Sequence, residues 1–156
     1  AKPLGMMDTV LCMGGSVSGL HGRNLADPEN ANRSVAVIGD STFIHSGITG
    51  LIDIAYNNTN SVTIILDNSI TGMTGHQQNP TTGKNIKGDP ATAVSLEKLC
   101  EAVGIKNIFV VISSAEALSS SSVFSSFCTS FESIDTDVSF CSESFCSVSL
   151  SNGFMA

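Results

Sequence analysis

The stretch SVAVIGD, residues 34 to 40, constrains the fold more than any other. It is β-branched and apolar at consecutive positions, so it reads as a strand whose two faces are both covered, as in a parallel sheet. A helical pattern follows almost at once: SGITGLIDIAY, residues 46 to 56, puts Ile48, Leu51, Ile52 and Ala55 at helical spacing. A second apolar strand, SVTIILDN, occupies residues 61 to 68. Strand, helix and strand in that order imply parallel pairing through a right-handed crossover. The same alternation continues on both sides. TVLCM (9 to 13) is a predicted short buried strand before the Gly-rich opening of a first helix. SLEKLCEAVGI (95 to 105) is a helix that Gly104 can end, and NIFVVI (107 to 112) is the last predicted strand. The expected class is α/β, with a mostly parallel sheet and helices on both faces.

At 156 residues the chain suits one domain with a real core. Residues 69 to 92, rich in Gly, Thr, Asn and Pro, make a connection too long to be idle and are expected to be a functional loop. Composition changes after Ile112: residues 113 to 156 hold 16 Ser, 6 Phe and 3 Cys, with no Lys or Arg. The expected division is a domain over 1–112 and an anomalous serine-rich tail over 113–156 whose fold is left open. A net charge of −7 argues against nucleic-acid binding. No apolar run is long enough to span a membrane, and the N-terminal residues lack a secretory pattern. Five cysteines without a C-x-x-C pair do not suggest a disulfide framework. Cytoplasmic location is the expectation.

In an open parallel sheet, ligands sit beyond the carboxyl ends of the strands. Asp40 lies at such an end and so does Asn68, 28 residues later. On adjacent strands, about 4.8 Å apart, the two could converge on one ion. A carboxylate, an amide oxygen, a backbone carbonyl and phosphate oxygens suit Mg²⁺, which prefers all-oxygen coordination shared with a diphosphate. The helix beginning near 43 to 46 offers unpaired N–H groups to phosphate, and Ser41, Thr42 and Ser46 add hydroxyls.

Gly39-Asp40-Ser41 followed by Asn68 resembles the metal–diphosphate motif of thiamine-diphosphate enzymes. Three phrases, DTVLCMGGSVSGLHG, VAVIGDSTFIHSGITGLIDIAYN and ILDNSITGMTGHQQNPTTG, together resemble the thiamine-binding alpha subunit of the indolepyruvate:ferredoxin oxidoreductases, over about residues 4 to 112. The resemblance implies the three-layer, diphosphate-binding type of thiamine-diphosphate fold. It implies Asp40 and Asn68 as side-chain ligands of Mg²⁺, with the backbone carbonyl of Ile70 as a third. Gly39, Ser41 and Thr42 would line the diphosphate. Met13 would be the apolar wedge that bends the cofactor, Cys12 could face its thiazolium ring, and Gly14 and Gly15 would let backbone approach the aminopyrimidine. Thr74, Gly75 and His76, with Gln77, would lie near the active centre. No side chain here is expected to be catalytic in its own right.

The implied activity is oxidative decarboxylation of a 2-oxoacid, indolepyruvate or another arylpyruvate, to acyl-coenzyme A. Electrons would pass through iron–sulfur clusters to ferredoxin. The family also uses a pyrimidine-binding domain, a cluster domain and a beta subunit, and no C-x-x-C-x-x-C run that could hold a cluster occurs in this chain. The chain is therefore expected to supply half of a site and to be inactive alone. Three alternatives stay open: a non-redox thiamine-diphosphate decarboxylase or carboligase, a non-catalytic phosphate- or nucleotide-binding module, and a Gly-Asp-Ser esterase with Ser41 as nucleophile. The esterase needs an Asp-x-x-His pair that the sequence lacks. Asp40 alone could also be a helix N-cap. His21 is expected to be structural, Cys100 to be core, Cys12 to be a buried thiol if it has no ligand role, and His45 and His76 to be exposed or in contact with ligand.

Overall fold

The computed structural model describes residues 7–112 and the strand Cys146–Ser151. Helix α1 (Gly15–Ala26) and a 3-10 turn (Pro28–Arg33) precede strand β1 (Val35–Gly39). The chain leaves β1 through a single helical turn, α2 (Asp40–Thr42), and a π-helical turn (Phe43–Gly47), which run on into α3 (Ile48–Tyr56). Strand β2 (Val62–Asp67), helix α4 (Leu96–Ala102) and strand β3 (Asn107–Ile112) complete the alternation. The helix expected from 46 thus begins its winding at Asp40, so the carboxylate lies inside the first turn rather than before it.

Strands β1 and β2 pair in parallel, with Val35 opposite Val62 and Gly39 opposite Leu66. The α/β class and the crossover read from the sequence are therefore present. Strand β4 (Cys146–Ser151) comes from the serine-rich segment, where the sequence suggested no element, and lies antiparallel between β2 and β3 in the order β1-β2-β4-β3. Strands β1, β2 and β3 share one direction as a result. The rest of that segment, 113–145 and 152–156, lies outside the described residues.

The expected strand over 9–13 is not one. Those residues pair with no strand among the described residues, and Val10 and Leu11 are 72% and 76% exposed. A short apolar run without a partner for its backbone groups has nothing to hold it extended. It ends instead in a turn, Gly15 N–H donating to Cys12 C=O at 3.0 Å.

Val17 and Leu20 of α1, Ala36 and Ile38 of β1, Leu51 and Ile54 of α3, Ile65 of β2 and Leu96 and Cys100 of α4 form one buried cluster with Phe43 and Ile105. Strand periodicity places alternate residues on opposite faces. Ala36 and Ile38 face this cluster, whereas Val35 and Val37 point the other way and are 42% and 49% exposed. Close approach of α1 and α3 depends on Gly50, where a Cβ would meet Ser18 N at 2.9 Å and Val17 Cγ1 at 3.2 Å. Helix α4 is delimited by local chemistry. Ser95 Oγ accepts from Lys98 N–H at its start, and Gly104 (φ 97°) ends it with Gly104 N–H to Glu101 C=O and Ile105 N–H to Cys100 C=O, a Schellman closure.

Candidate metal and diphosphate site

The register puts the carboxyl ends of β1 and β2 side by side, Gly39 opposite Leu66. Asp40 and Asn68 therefore leave the sheet at the same edge, and Ser41 Oγ lies 2.8 Å from Thr71 Oγ1, joining the two exits. Asp40 is 2% exposed and Asn68 is exposed. The Asn68 side chain accepts from Ile70 N–H at 3.2 Å, and Asp67 accepts from Ser69 N–H at 2.7 Å. These consecutive turns bend the chain sharply enough to set Ser69 at φ 52°. Thr71 and Gln77 then exchange backbone hydrogen bonds, closing a small hairpin whose tip carries Gly72, Thr74, Gly75 and His76. Gln77 Nε2 donates to Thr74 C=O at 2.5 Å, and Thr74, Gly75, His76 and Gln77 are all exposed.

Asp40 is not a helix N-cap. Gly39, in extended backbone (ψ 156°), takes that position, and the Asp40 carboxylate turns toward the loop after β2. Its Oδ2 accepts from Asn79 Nδ2 at 2.9 Å and lies 3.1 Å from Thr81 Oγ1. Thr81 Oγ1 also lies 2.6 Å from Asn79 Oδ1, so its one proton is shared between the two acceptors and Asn79 is the principal donor. Asn79 is 7% exposed. These two residues and Thr71 are the contributors that reading the sequence missed. Asn79 opens an Asn-Pro turn signal, but nothing local says that its side chain reaches back 39 residues to Asp40.

The Cys12–Gly15 turn reaches the same corner from the other side. Met13 C=O accepts from Ser46 Oγ at 3.5 Å, and Gly14 is buried against Ser46. Gly14 has φ 85°, and a Cβ there would overlap the Ser46 side chain, so only glycine suits the position. Met13 is 59% exposed, and Cys12 is exposed rather than the buried thiol that is the commoner fate of a free cysteine. The expected residues of this corner, Met13 to Gly15, Gly39 to Thr42 and Asn68 to Ile70, thus come from three chain segments at one end of the sheet. Ser41 pairs with a threonine, and no histidine bonds to it among the described residues.

The donor chemistry fits a divalent cation. Asp40 is buried and faces no lysine or arginine, since the one ion pair among the described residues is His21 Nε2 to Asp53 Oδ2 at 3.2 Å. Two neutral donors reach Oδ2 and, among the described residues, no hydrogen bond lands on Oδ1. A buried carboxylate without a charge partner is costly, and a cation at Oδ1 would remove that cost. The available donors are oxygens, and no cluster of three His, Cys, Asp or Glu occurs among the described residues. One carboxylate plus neutral oxygens, completed by phosphate, matches the hard-cation pattern.

Two clefts lie elsewhere. One, of about 470 Å³, is lined by Asn24, Pro28 and Asn57 to Asn60 near the amino end of β2. The other, of about 510 Å³, lies between α1 and α3 at Ser18, Asp53 and Tyr56. Neither is lined by Asp40 or Asn68. His21 is 5% exposed and tied to Asp53, the structural role its sequence context suggested, while His45 and His76 are exposed. Among the described residues no helix is long and apolar enough to cross a membrane.

The family model for the thiamine pyrophosphate enzyme, C-terminal TPP binding domain, matches residues 1–122. The chain is 47% identical to the indolepyruvate oxidoreductase subunit IorA of Archaeoglobus fulgidus over 110 residues, covering 70% of this chain and 17% of that protein. It is 36% identical to the subunit of the same name from Pyrococcus horikoshii over 120 residues, and 38% identical to that from Methanothermobacter marburgensis over 109 residues, covering 70% of this chain in both and 18% and 17% of the relatives. The chain thus spans less than a fifth of the length of these relatives. No solved structure matches it.

Proposed function

The chain belongs to the thiamine pyrophosphate enzymes, as their C-terminal TPP-binding domain, and from that premise we propose that it supplies the Mg²⁺- and diphosphate-binding half of an indolepyruvate:ferredoxin oxidoreductase. The observation that carries this reading is the buried Asp40 carboxylate, held by neutral donors at the carboxyl end of a parallel strand beside the end that carries Asn68. Asp40 and Asn68 would be side-chain ligands of the cation and Ile70 would give its backbone carbonyl. The N–H groups of the turn from Asp40 to Thr42, without helical partners of their own, would receive the diphosphate together with the Ser41 and Thr42 hydroxyls and the Gly39 backbone. Cys12, Met13, Gly14 and Gly15 would border the cofactor's ring system, and Thr74, Gly75 and His76 its diphosphate side.

When bound, thiamine diphosphate supplies the nucleophilic carbon and the electron sink that 2-oxoacid decarboxylation needs. The residues of this chain bind and orient it. Their likeness to the IorA subunits supports indolepyruvate or a related arylpyruvate as substrate. The acceptor would be ferredoxin, with coenzyme A taking the acyl group, in the cytoplasm. A pyrimidine-binding domain, a beta subunit and iron–sulfur clusters would complete the machinery, and the 156-residue chain alone would not turn over.

Calorimetry on this chain tests the reading. Thiamine diphosphate binds only with Mg²⁺ present, and Asp40→Asn, which keeps the shape and removes the charge, abolishes that binding. Equal binding without Mg²⁺, or preferential binding of ATP or NAD, would refute it.

A further inference from the structure

Asp40 is gripped by the loop that follows the neighbouring strand β2. Asn79 donates to Oδ2 at 2.9 Å, Thr81 shares a proton with the same oxygen at 3.1 Å, and Thr81 N–H donates to Asn79 Oδ1 at 2.8 Å, which sets the amide's orientation. Asn79 is itself buried, so water does not compete for the contact. Both donors choose one carboxylate oxygen and leave the other free of hydrogen bonds among the described residues. A carboxylate that is free to rotate offers a cation either oxygen in many orientations. One pinned at Oδ2 offers Oδ1 alone, in a fixed direction. Partners that bond to a metal's ligand orient it and raise its affinity.

We propose that Asn79, assisted by Thr81, is a positioning residue that fixes the Asp40 carboxylate so that Oδ1 is the oxygen presented to the cation. The inference rests on the reading of Asp40 as a Mg²⁺ ligand. It adds that the loop from 69 to 92, besides offering the Ile70 carbonyl, tunes the site's metal affinity through this link to Asp40. The same loop is tied at Thr71 to Ser41, at 2.8 Å, so the hairpin tip and the carboxylate are held by a common frame.

The test measures two constants by calorimetry on this chain: Mg²⁺ affinity at one fixed thiamine diphosphate concentration, and thiamine diphosphate affinity at saturating Mg²⁺. Asn79→Ala weakens Mg²⁺ binding by about tenfold or more, the usual effect of losing a group that orients a metal ligand, and leaves the second constant within about twofold of wild type. Thr81→Ala raises the Mg²⁺ constant by about threefold, in line with losing a hydrogen bond that the carboxylate only shares with Asn79 Oδ1. Thr81 is only half-buried, so this variant decides the matter if Asn79→Ala does not fold. A merely structural loosening of the loop would raise both constants together, and that result overturns the proposal. So does an unchanged Mg²⁺ constant in both variants while Asp40→Asn still loses binding, an outcome that leaves the Mg²⁺ site itself standing. Binding by wild type that ignores Mg²⁺ removes the site and the positioning role together.

Discussion

Gly14→Ala offers the sharpest check on how the corner is assembled. Gly14 has φ 85°, where an L side chain costs about 1–2 kcal/mol. The new methyl would also lie 2.7 Å from Ser46 Cβ and 3.3 Å from the Ser46 carbonyl carbon, closer than packed atoms approach. Forcing a methyl into a filled space costs about 1–3 kcal/mol more. The sum, about 2–5 kcal/mol, is a large share of the ~5–15 kcal/mol that holds a typical domain folded. Urea unfolding followed by circular dichroism reads it directly. The second term belongs mainly to the Ser46 side chain, with only the carbonyl carbon left at 3.3 Å, so Ser46→Gly in the same chain separates the two. Ser46→Gly by itself is expected to cost about 0.5–1 kcal/mol as a helical glycine, yet in the Gly14→Ala background it should recover most of the packing term. The two changes are then non-additive by about 1–3 kcal/mol, the mark of direct contact. A Gly14→Ala chain within ~0.5 kcal/mol of wild type, or costs that simply add, would show that the Cys12–Gly15 turn does not press on the helix after Asp40.

Two further outcomes follow from α4. Glu97 titrates below the ordinary carboxylate range, chiefly because Ser95 Oγ donates to its carboxylate at 2.6 Å, with its own backbone N–H and Lys98 helping and burial opposing. A lowered folded pKa means stability that is present above the unfolded carboxylate pKa and lost as pH falls through the folded value. Ser95→Ala should therefore cost about 1 kcal/mol at neutral pH through the lost cap and flatten the acid limb of a stability–pH curve; an unchanged acid limb refutes the coupling. Cys100 is fully buried and its thiol is pushed up to about 12, first by burial and then by Glu97. Alkylation with peptide mapping should modify the exposed Cys12 in the native chain and spare Cys100 until denaturant is added. Labelling of both at one rate would contradict the packing of α4.

The strand–helix–strand alternation was legible in the sequence because its signal is local. SVAVIGD and SVTIILDN are apolar without a break, and Ile48, Leu51 and Ala55 recur at helical period. That Asp40 and Asn68 leave neighbouring strands at one end was legible for the same reason, since a parallel sheet sends the residues at strand ends to one side whatever lies between them. TVLCM was misread because an apolar run specifies burial, not a partner: only a neighbouring strand makes such a run a strand, and none is present among the described residues. The antiparallel strand Cys146–Ser151 was equally invisible, as alternating Ser and apolar residues say nothing about which edge they will join. What tertiary structure alone decided is the grip of Asn79 and Thr81 on Asp40 and the contact of Gly14 with Ser46. Those pairs are separated by 39, 41 and 32 residues, so no periodicity links them. They exist only because folding brings a loop and a turn to the same end of the sheet, where a buried carboxylate takes hydrogen bonds from any donor the chain delivers.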